Sequence, residues 1–385
     1  MFYCWMAFVS HHTQFTSAFG GLSLFRYSRS RTRTEANLQA WDAADTLLLA
    51  HLAKQSTLGR VLVLNDSSGA LVCALAQSGR AEAITSAGDS WVAQRAAEEN
   101  LARNGLTGVN FCSSIDLPDG PVDTLLIKLP KALRLLADQL CRYRALLHQN
   151  TQVIFAGMVK HMSAGHFTTI ESLLGPTTTS LAEKKARLIF APVALPASPL
   201  PAPVQYQYQG LPLIALANVF SGESLDIGAR CLLKHFPEQL PGPRVADLGC
   251  GNGILGLWAA KKLPDARVDF YDESMMAVAS AEQNAAAWGL ADRCRAICGD
   301  GMALAEDETY DVILCNPPFH QQQVVGDFIA RQMFHDARRC LRAGGELWVV
   351  ANRHMNYHQS LKRLFGDCTT RSDDTKFVVL TSVKA

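Results

Sequence analysis

Along this chain, short runs of Val, Ile and Leu alternate with longer Ala-rich stretches whose apolar residues recur at helical spacing. In the second half the apolar runs are RVADLG, RVDFYD, RCRAICGD, DVILCN, GELWVVAN and KFVVLTSV. The stretches GILGLWAAKK, MMAVASAEQNAAAWG and ARQMFHDARRCLR read as helices. Strands four to eight residues long that alternate with helices predict an α/β fold with a doubly wound, mostly parallel sheet.

The first half carries the same alternation, and the halves match segment by segment. GRVLVLNDSSGALVCALA matches GPRVADLGCGNGILGLWAA, and GDSWVAQRAAEENLARNGL matches YDESMMAVASAEQNAAAWGL. VDTLLIKLPK matches YDVILCNPPF, and LLGPTTTSLAEKKARLIF matches LFGDCTTRSDDTKFVVL. Four matches in the same order, with similar gaps, argue for two copies of one fold. Between them lies APVALPASPLPAP, where Pro192, Pro196, Pro199, Pro201 and Pro203 preclude helix or central strand. The expected organisation is a first domain over 21–190, a linker over 191–205 and a second domain over 206–385. Residues 1–20 open on MFYCWMAFVSHHTQF, with no basic residue ahead of the apolar part, so a signal peptide is not expected. A disordered extension or a start placed too far upstream is expected instead. Arg26, Arg29, Arg31 and Arg33 follow, either as a basic arm for phosphates or as a solvated run.

Composition narrows the class. A chain of 385 residues exceeds one typical core, which agrees with two domains. With 18% charged residues and a formal charge of +1, no global field draws it to nucleic acid, so any such binding rests on local patches. The 11 cysteines include no CxxC, no cluster at metal-ligand spacing is present, and no apolar run reaches membrane length. Reduced thiols in a cytoplasmic protein, and no metal, are the expectation.

Candidate chemistry gathers in the second copy. ADLGCGNG, from Ala246, ends a strand in a tight turn with Gly249, Gly251 and Gly253, and the helix opening at Ile254 offers its amides to an electronegative group. Such a turn alone also suits a dinucleotide or a plain connection. Asp272 ends the second strand, where an acid holds ribose hydroxyls, and Asp300 ends the third, where a carboxylate accepts from adenine's amine. The fourth strand ends in Asn316, Pro317, Pro318 and Phe319. The prolines remove donors, so Asn316 and the Pro317 carbonyl remain as acceptors for an NH2 group, and Phe319 stacks on a flat ring. Cys315 lies on the strand, one residue before this corner, and reads as packing.

ADLGCGNG, Asp272, Asp300 and NPPF resemble the class I S-adenosylmethionine (SAM) methyltransferases that act on exocyclic amines. More closely, the chain resembles the two-domain ribosomal RNA guanine-N2 methyltransferases. NVFSGESLDIGAR, LQAWDAAD and NPPFHQQ resemble the large-subunit (23S) branch, and the small-subunit (16S) branch shares part of them. The resemblance covers nearly the whole chain after its first twenty or so residues. It implies two tandem Rossmann-like domains with seven-stranded sheets, the last strand antiparallel, and an active C-terminal domain. It also implies SAM as cofactor, with Asp247, Gly249, Gly251, Gly253, Asp272 and Asp300 around it and Phe220 and Asp226 closing over it. The implied partner is 23S RNA, protein-free or in early assembly, and the duplication suggests a monomer.

The first copy has diverged. Asn65, Ser67 and Gly69 stand in place of the three glycines, and Lys128, Leu129 and Lys131 in place of Asn316, Pro317 and Phe319. An ammonium cannot accept from an amine, so this half is expected neither to hold SAM nor to methylate. Lys128, Lys131, Arg134, Arg142, Arg144, Lys184, Lys185 and Arg187 are its candidate phosphate contacts. Alternatives in play are a 16S enzyme, DNA adenine-N6 or protein glutamine-N5 methylation, a non-catalytic RNA chaperone, and, from the glycine turn alone, a dehydrogenase.

Overall fold

A computed structural model describes residues 13–27, 39–220, 224–318, 323–372 and 374–385. The chain divides into two compact units at Pro201/Ala202, inside the Pro-rich segment. Regular structure ends at Ala191 and resumes at Val204, so the connecting stretch is 192–203, slightly shorter than expected.

In the first unit a hairpin of β1 (Gln14–Ser17) and β2 (Gly20–Ser23) is followed by α1 (Ala43–Leu52), β3 (Gly59–Leu64), α2 (Ala70–Ser78), β4 (Ala81–Gly88), α3 (Trp91–Arg103) and β5 (Val109–Ser113). Then come β6 (Val122–Lys128), α4 (Leu133–Tyr143), β7 (Leu147–Met158), α5 (Ala164–Leu173), β8 (Thr178–Thr179) and β9 (Ala186–Ala191). The second unit repeats this element for element. It runs through the hairpin β10 (Val204–Tyr208) and β11 (Leu211–Ala215), α6 (Ile227–Lys234), β12 (Arg244–Leu248), α7 (Ile254–Lys262), β13 (Arg267–Asp272), α8 (Met275–Ala287) and β14 (Cys294–Cys298). It closes with β15 (Tyr310–Cys315), α9 (Gln323–Cys340), β16 (Leu341–Asn352), α10 (Tyr357–Phe365), β17 (Thr369–Thr370) and β18 (Phe377–Val383).

Each unit holds one seven-stranded sheet, ordered β5-β4-β3-β6-β7-β9-β8 and β14-β13-β12-β15-β16-β18-β17. The central strands pair in parallel, and β9 and β18 run antiparallel to their neighbours. Strand order reverses between β3 and β6 and between β12 and β15, so the ligand crevice of such a sheet lies at the carboxyl ends of these strands. Side chains alternate across the sheet. Val245, Val312 and Leu314 pack on one face of the second sheet, and Ala246, Leu248, Ile313 and Cys315 on the other.

The expectation that residues 1–20 form a disordered extension is corrected for the part the structure describes. Phe15 is 1% exposed and packs with Leu22 and Leu24 in the first core. Asn100 on α3 clips the chain just after this hairpin, accepting from Phe25 N at 3.0 Å and donating to Phe25 O at 2.8 Å. Asn284 on α8 holds the second hairpin through Ile214 N and O in the same way. A buried carboxamide that pairs with the backbone N–H and C=O of the hairpin segment is thus repeated in both copies.

Candidate active site

The turn after β12 sits at the reversal point. Gly249 N and Cys250 N donate to Tyr271 O, and Gly251 N donates to Asp272 Oδ2 at 2.9 Å. Asp272 also accepts from Ser274 N, so its carboxylate ties the glycine turn to the start of α8 and stands at the carboxyl edge of β13. The three glycines have distinct reasons. Gly253 (φ 83°) caps α7 and presses on α8, where a Cβ would lie 2.9 Å from Ala281 Cβ. Among the described residues, a Cβ at Gly251 (φ 55°) would meet nothing nearer than Val219 Cγ1 at 4.0 Å. Gly249 (φ 72°) faces Met333 and the Asn316 carbonyl. The turn therefore leaves a cradle at Gly251 that a side chain would fill, which fits a bound SAM.

Asp247, expected to face that cofactor, lies behind the turn. It is fully buried, and its Oδ2 accepts from Gly256 N at 2.8 Å, pinning α7 to the sheet. Burial chiefly, with the charge of Asp272 adding to it, pushes its carboxyl up to about 8 despite the Gly256 hydrogen bond. Asp300 stands two residues beyond β14, and both its oxygens take Gln332 Nε2 at 3.3 and 3.2 Å. Phe220 is 57% exposed on the segment after β11.

At the end of β15, Asn316 Nδ2 donates to Asp226 Oδ2 at 3.1 Å, and Asn316 Oδ1 is buried with no hydrogen-bond partner among the described residues. Asp226 caps α6, accepting from Ala229 N at 2.9 Å. Pro317 is buried and Pro318 half-buried. Phe319 lies outside the described residues. Burial pushes the Cys315 thiol far up, and it is buried, which supports its reading as packing.

Sequence reasoning missed Gln332, and it missed the brace behind the turn. Asn252 Nδ2 donates to Tyr206 Oη at 2.6 Å, and Asn284 Nδ2 donates to Asn252 O. The signal was present, because Asn100 and Asn284 fall at the same place in the repeat and Asn100 Nδ2 likewise holds Ser68 O.

In the first copy the equivalent crevice is filled by the protein's own side chains. Asn65 (φ 64°) donates to the Lys128 carbonyl and exchanges hydrogen bonds with Gln139. Asp66 accepts from Gly69, Leu71 and Val72 amides, supplying its own carboxylate to the N-terminus of α2. Ser90 and Ser274 cap equivalent helices, which puts Gly88 where Asp272 stands. Ser113 and Cys298 share a register, which puts Ile115 where Asp300 stands. Both cofactor-facing carboxylates are thus absent from the first copy.

Lys128 as a phosphate contact is corrected. Its side chain is 15% exposed and its Nζ lies 2.8 Å from Asp42 and 2.6 Å from Asp45. Although burial works against it, these two carboxylates hold the ammonium above the usual lysine range. Arg142 pairs in a fork with Asp138 and also donates to Ile115 O, and Arg144 donates to Leu147 and Leu195 carbonyls. Neither is offered to a ligand as expected. Arg134 and Arg187 are half-buried, whereas Lys131, Lys184 and Lys185 are exposed. Val159 N donates to Lys185 O, and slight burial together with Lys160 and Lys131 holds the His161 imidazole below its ordinary range. Of the candidates, Lys131, Lys184 and Lys185 are thus the exposed cations and Arg134 and Arg187 the half-buried ones, and Lys160 is also exposed.

Residues 12–195 match the model of the RLMG N-terminal domain, and residues 210–381 match that of the methyltransferase small domain. The ribosomal RNA large subunit methyltransferase G of Stutzerimonas stutzeri is 49% identical over 90% of this chain and 94% of its own length. The chain belongs to the ribosomal RNA large subunit methyltransferase G family. A family protein of the same name from Streptomyces griseus is 44% identical over 96% of this chain and 99% of its own. Among solved structures, a T. thermophilus 16S rRNA N2 methyltransferase in complex with AdoMet and guanosine matches with a TM-score of 0.76. That match has 25% identity and covers 97% of this chain and 98% of the other. Both domains of the family are thus present, the second as a SAM-dependent methyltransferase domain. Among the described residues no helix is long and apolar enough to cross a membrane.

Proposed function

We propose that the second domain methylates the exocyclic N2 amine of a guanosine in large-subunit (23S) ribosomal RNA, and that the first domain presents the RNA. The observation that carries this reading is Asn316. Its amide is anchored through Nδ2 while its buried Oδ1 has no partner, at the carboxyl edge beside the glycine turn. An acceptor held there suits an amine donor, and a solved relative at 25% identity was captured with AdoMet and guanosine.

When bound, SAM supplies an electrophilic methyl group. Asp272, Asp300 and the cradle at Gly251 are the residues assigned to hold it, with Phe220 as a cover. Asn316 Oδ1 and the Pro317 carbonyl accept hydrogen bonds from the two N2 hydrogens, which raises electron density on an otherwise delocalised nitrogen and fixes its direction; one of these protons leaves to solvent once the methyl has been transferred to nitrogen. Rate then comes from alignment and from fixed dipoles. Pro318 keeps the corner rigid and Phe319 is assigned to stack on the base. The base must leave its helix to reach this crevice. Lys131, Lys184 and Lys185, with Arg134 and Arg187 at the margin, are assigned to phosphates, and a monomeric, cytoplasmic enzyme acting on protein-free or early-assembly RNA completes the reading.

The test is transfer of labelled methyl to unmodified 23S RNA, 16S RNA and DNA, with Asn316→Ala alongside. Label in 23S RNA as N2-methylguanine, lowered about 100-fold in the variant, is the expected result. Label confined to 16S RNA or DNA reassigns the substrate.

A further inference from the structure

We propose that Asp226 is a positioning residue that fixes which end of the Asn316 carboxamide faces the target base; this rests on the transfer reading above. A carboxylate only accepts hydrogen bonds, so just one of the two orientations of the Asn316 amide can pair with it. That orientation sends Nδ2 to Asp226 and leaves Oδ1 as the other arm of the amide, buried beside Gly228 and without a partner among the described residues. Without the carboxylate, the amide is free to turn, and an NH2 group in the Oδ1 position would meet the amine donor to donor.

Asp226 is itself immobilised. It caps α6 through Ala229 N, and Gly228 leaves the space both groups use. A Cβ at Gly228 would fall 2.9 Å from Asp226 Oδ2 and 3.4 Å from Asn316 Oδ1. The charge behind the NH2 group also polarises the amide and strengthens Oδ1 as an acceptor.

The first copy supplies an internal comparison. Asp42 caps α1 as Asp226 caps α6, and it too accepts from the residue at the corner, Lys128, at 2.8 Å. The acid and the donor it receives are common to both copies. Only in the second does the corner residue carry an acceptor on its other side. The pair Asp226–Asn316 is thus the unit that makes a shared contact into a base-facing acceptor, a role separate from the cofactor cover expected of Asp226.

The experiment uses the full chain with unmodified 23S RNA in single-turnover assays, so that low rates stay measurable. Asp226→Asn keeps a good helix cap but pairs with either orientation of Asn316. The expected result is a rate reduced on the order of tenfold, with SAM Kd and unfolding midpoint unchanged. In an Asn316→Ala background the same substitution should have no further effect on the rate. An unchanged rate, a SAM Kd that rises in step with the loss, or an equal loss in the Asn316→Ala background would overturn the proposal. Wild-type protein that methylates no ribosomal RNA overturns the transfer reading and this inference with it, and the wild-type reaction alone tells the two failures apart.

Discussion

Lys128 Nζ lies 2.6 Å from Asp45 Oδ1, at the corner where the second copy places Asn316. Asp45 is buried, and burial pushes its carboxyl up to about 6 against the pull of the ammonium. The cation therefore stabilises the fold of the first domain and is not presented to a ligand. Lys128→Ala leaves a buried acid without its counter-charge and should lower stability by about 3 kcal/mol. RNA affinity and its salt dependence should stay as they are. Urea unfolding and filter binding check the two halves of this expectation, and an unchanged midpoint with weakened RNA binding would reverse it.

Gly251 and Gly253 look alike in sequence and should behave differently on substitution. A methyl at Gly253 meets Ala281 Cβ at 2.9 Å on a packed helix, so Gly253→Ala should destabilise the second domain by about 2 kcal/mol or more. A methyl at Gly251 enters open space, so Gly251→Ala should fold with a cost of about 1 kcal/mol from its positive φ. It should nonetheless lose SAM affinity. Thermal unfolding with and without SAM distinguishes the two, and loss of folding in both would mean the open space at Gly251 serves packing.

The fold was largely legible. Short Val, Ile and Leu runs, Ala-rich helices and four matching segments specified two doubly wound units, and the sheet orders agree. The corner and the glycine turn were legible because Asn, Pro and Gly impose local geometry. What escaped was long-range. That Asp247 turns inward to Gly256, that Gln332 meets Asp300, and that Lys128 meets two acids from α1 all depend on side chains brought together across the fold. The hairpin at Gln14–Ser23 was misread because its strands are four residues each, too short to show a period.

Lys184 (φ 46°) and Lys185 (φ 66°) form the tight turn entering β9, closed by mutual hydrogen bonds between Glu183 and Ala186. Such turns favour Asn-Gly, so two exposed lysines there cost stability. Replacing them by Asn-Gly should raise stability by about 1 kcal/mol and weaken RNA binding, with the slope of log K against log salt falling by about 1 to 2. Equilibrium binding across a salt series together with urea unfolding checks both. A variant that gains stability and keeps its RNA slope would remove the turn from the RNA surface.

Asp247 gives stability a pH dependence of definite sign. In the unfolded chain its carboxyl titrates near 3.8, whereas in the folded protein burial holds the proton up to about 8. Between these values the folded state binds more protons than the unfolded one, so this group's contribution to stability falls as pH rises through the window and is level above it. Asp247→Asn keeps an acceptor for Gly256 N and carries no titrating proton. The variant should therefore match wild type near about pH 4 and become progressively more stable than it toward about pH 8. Urea midpoints for both proteins across that range measure the difference directly. A difference that stays constant with pH would show that Asp247 is ionised in the folded state throughout, with the Gly256 amide facing its charge.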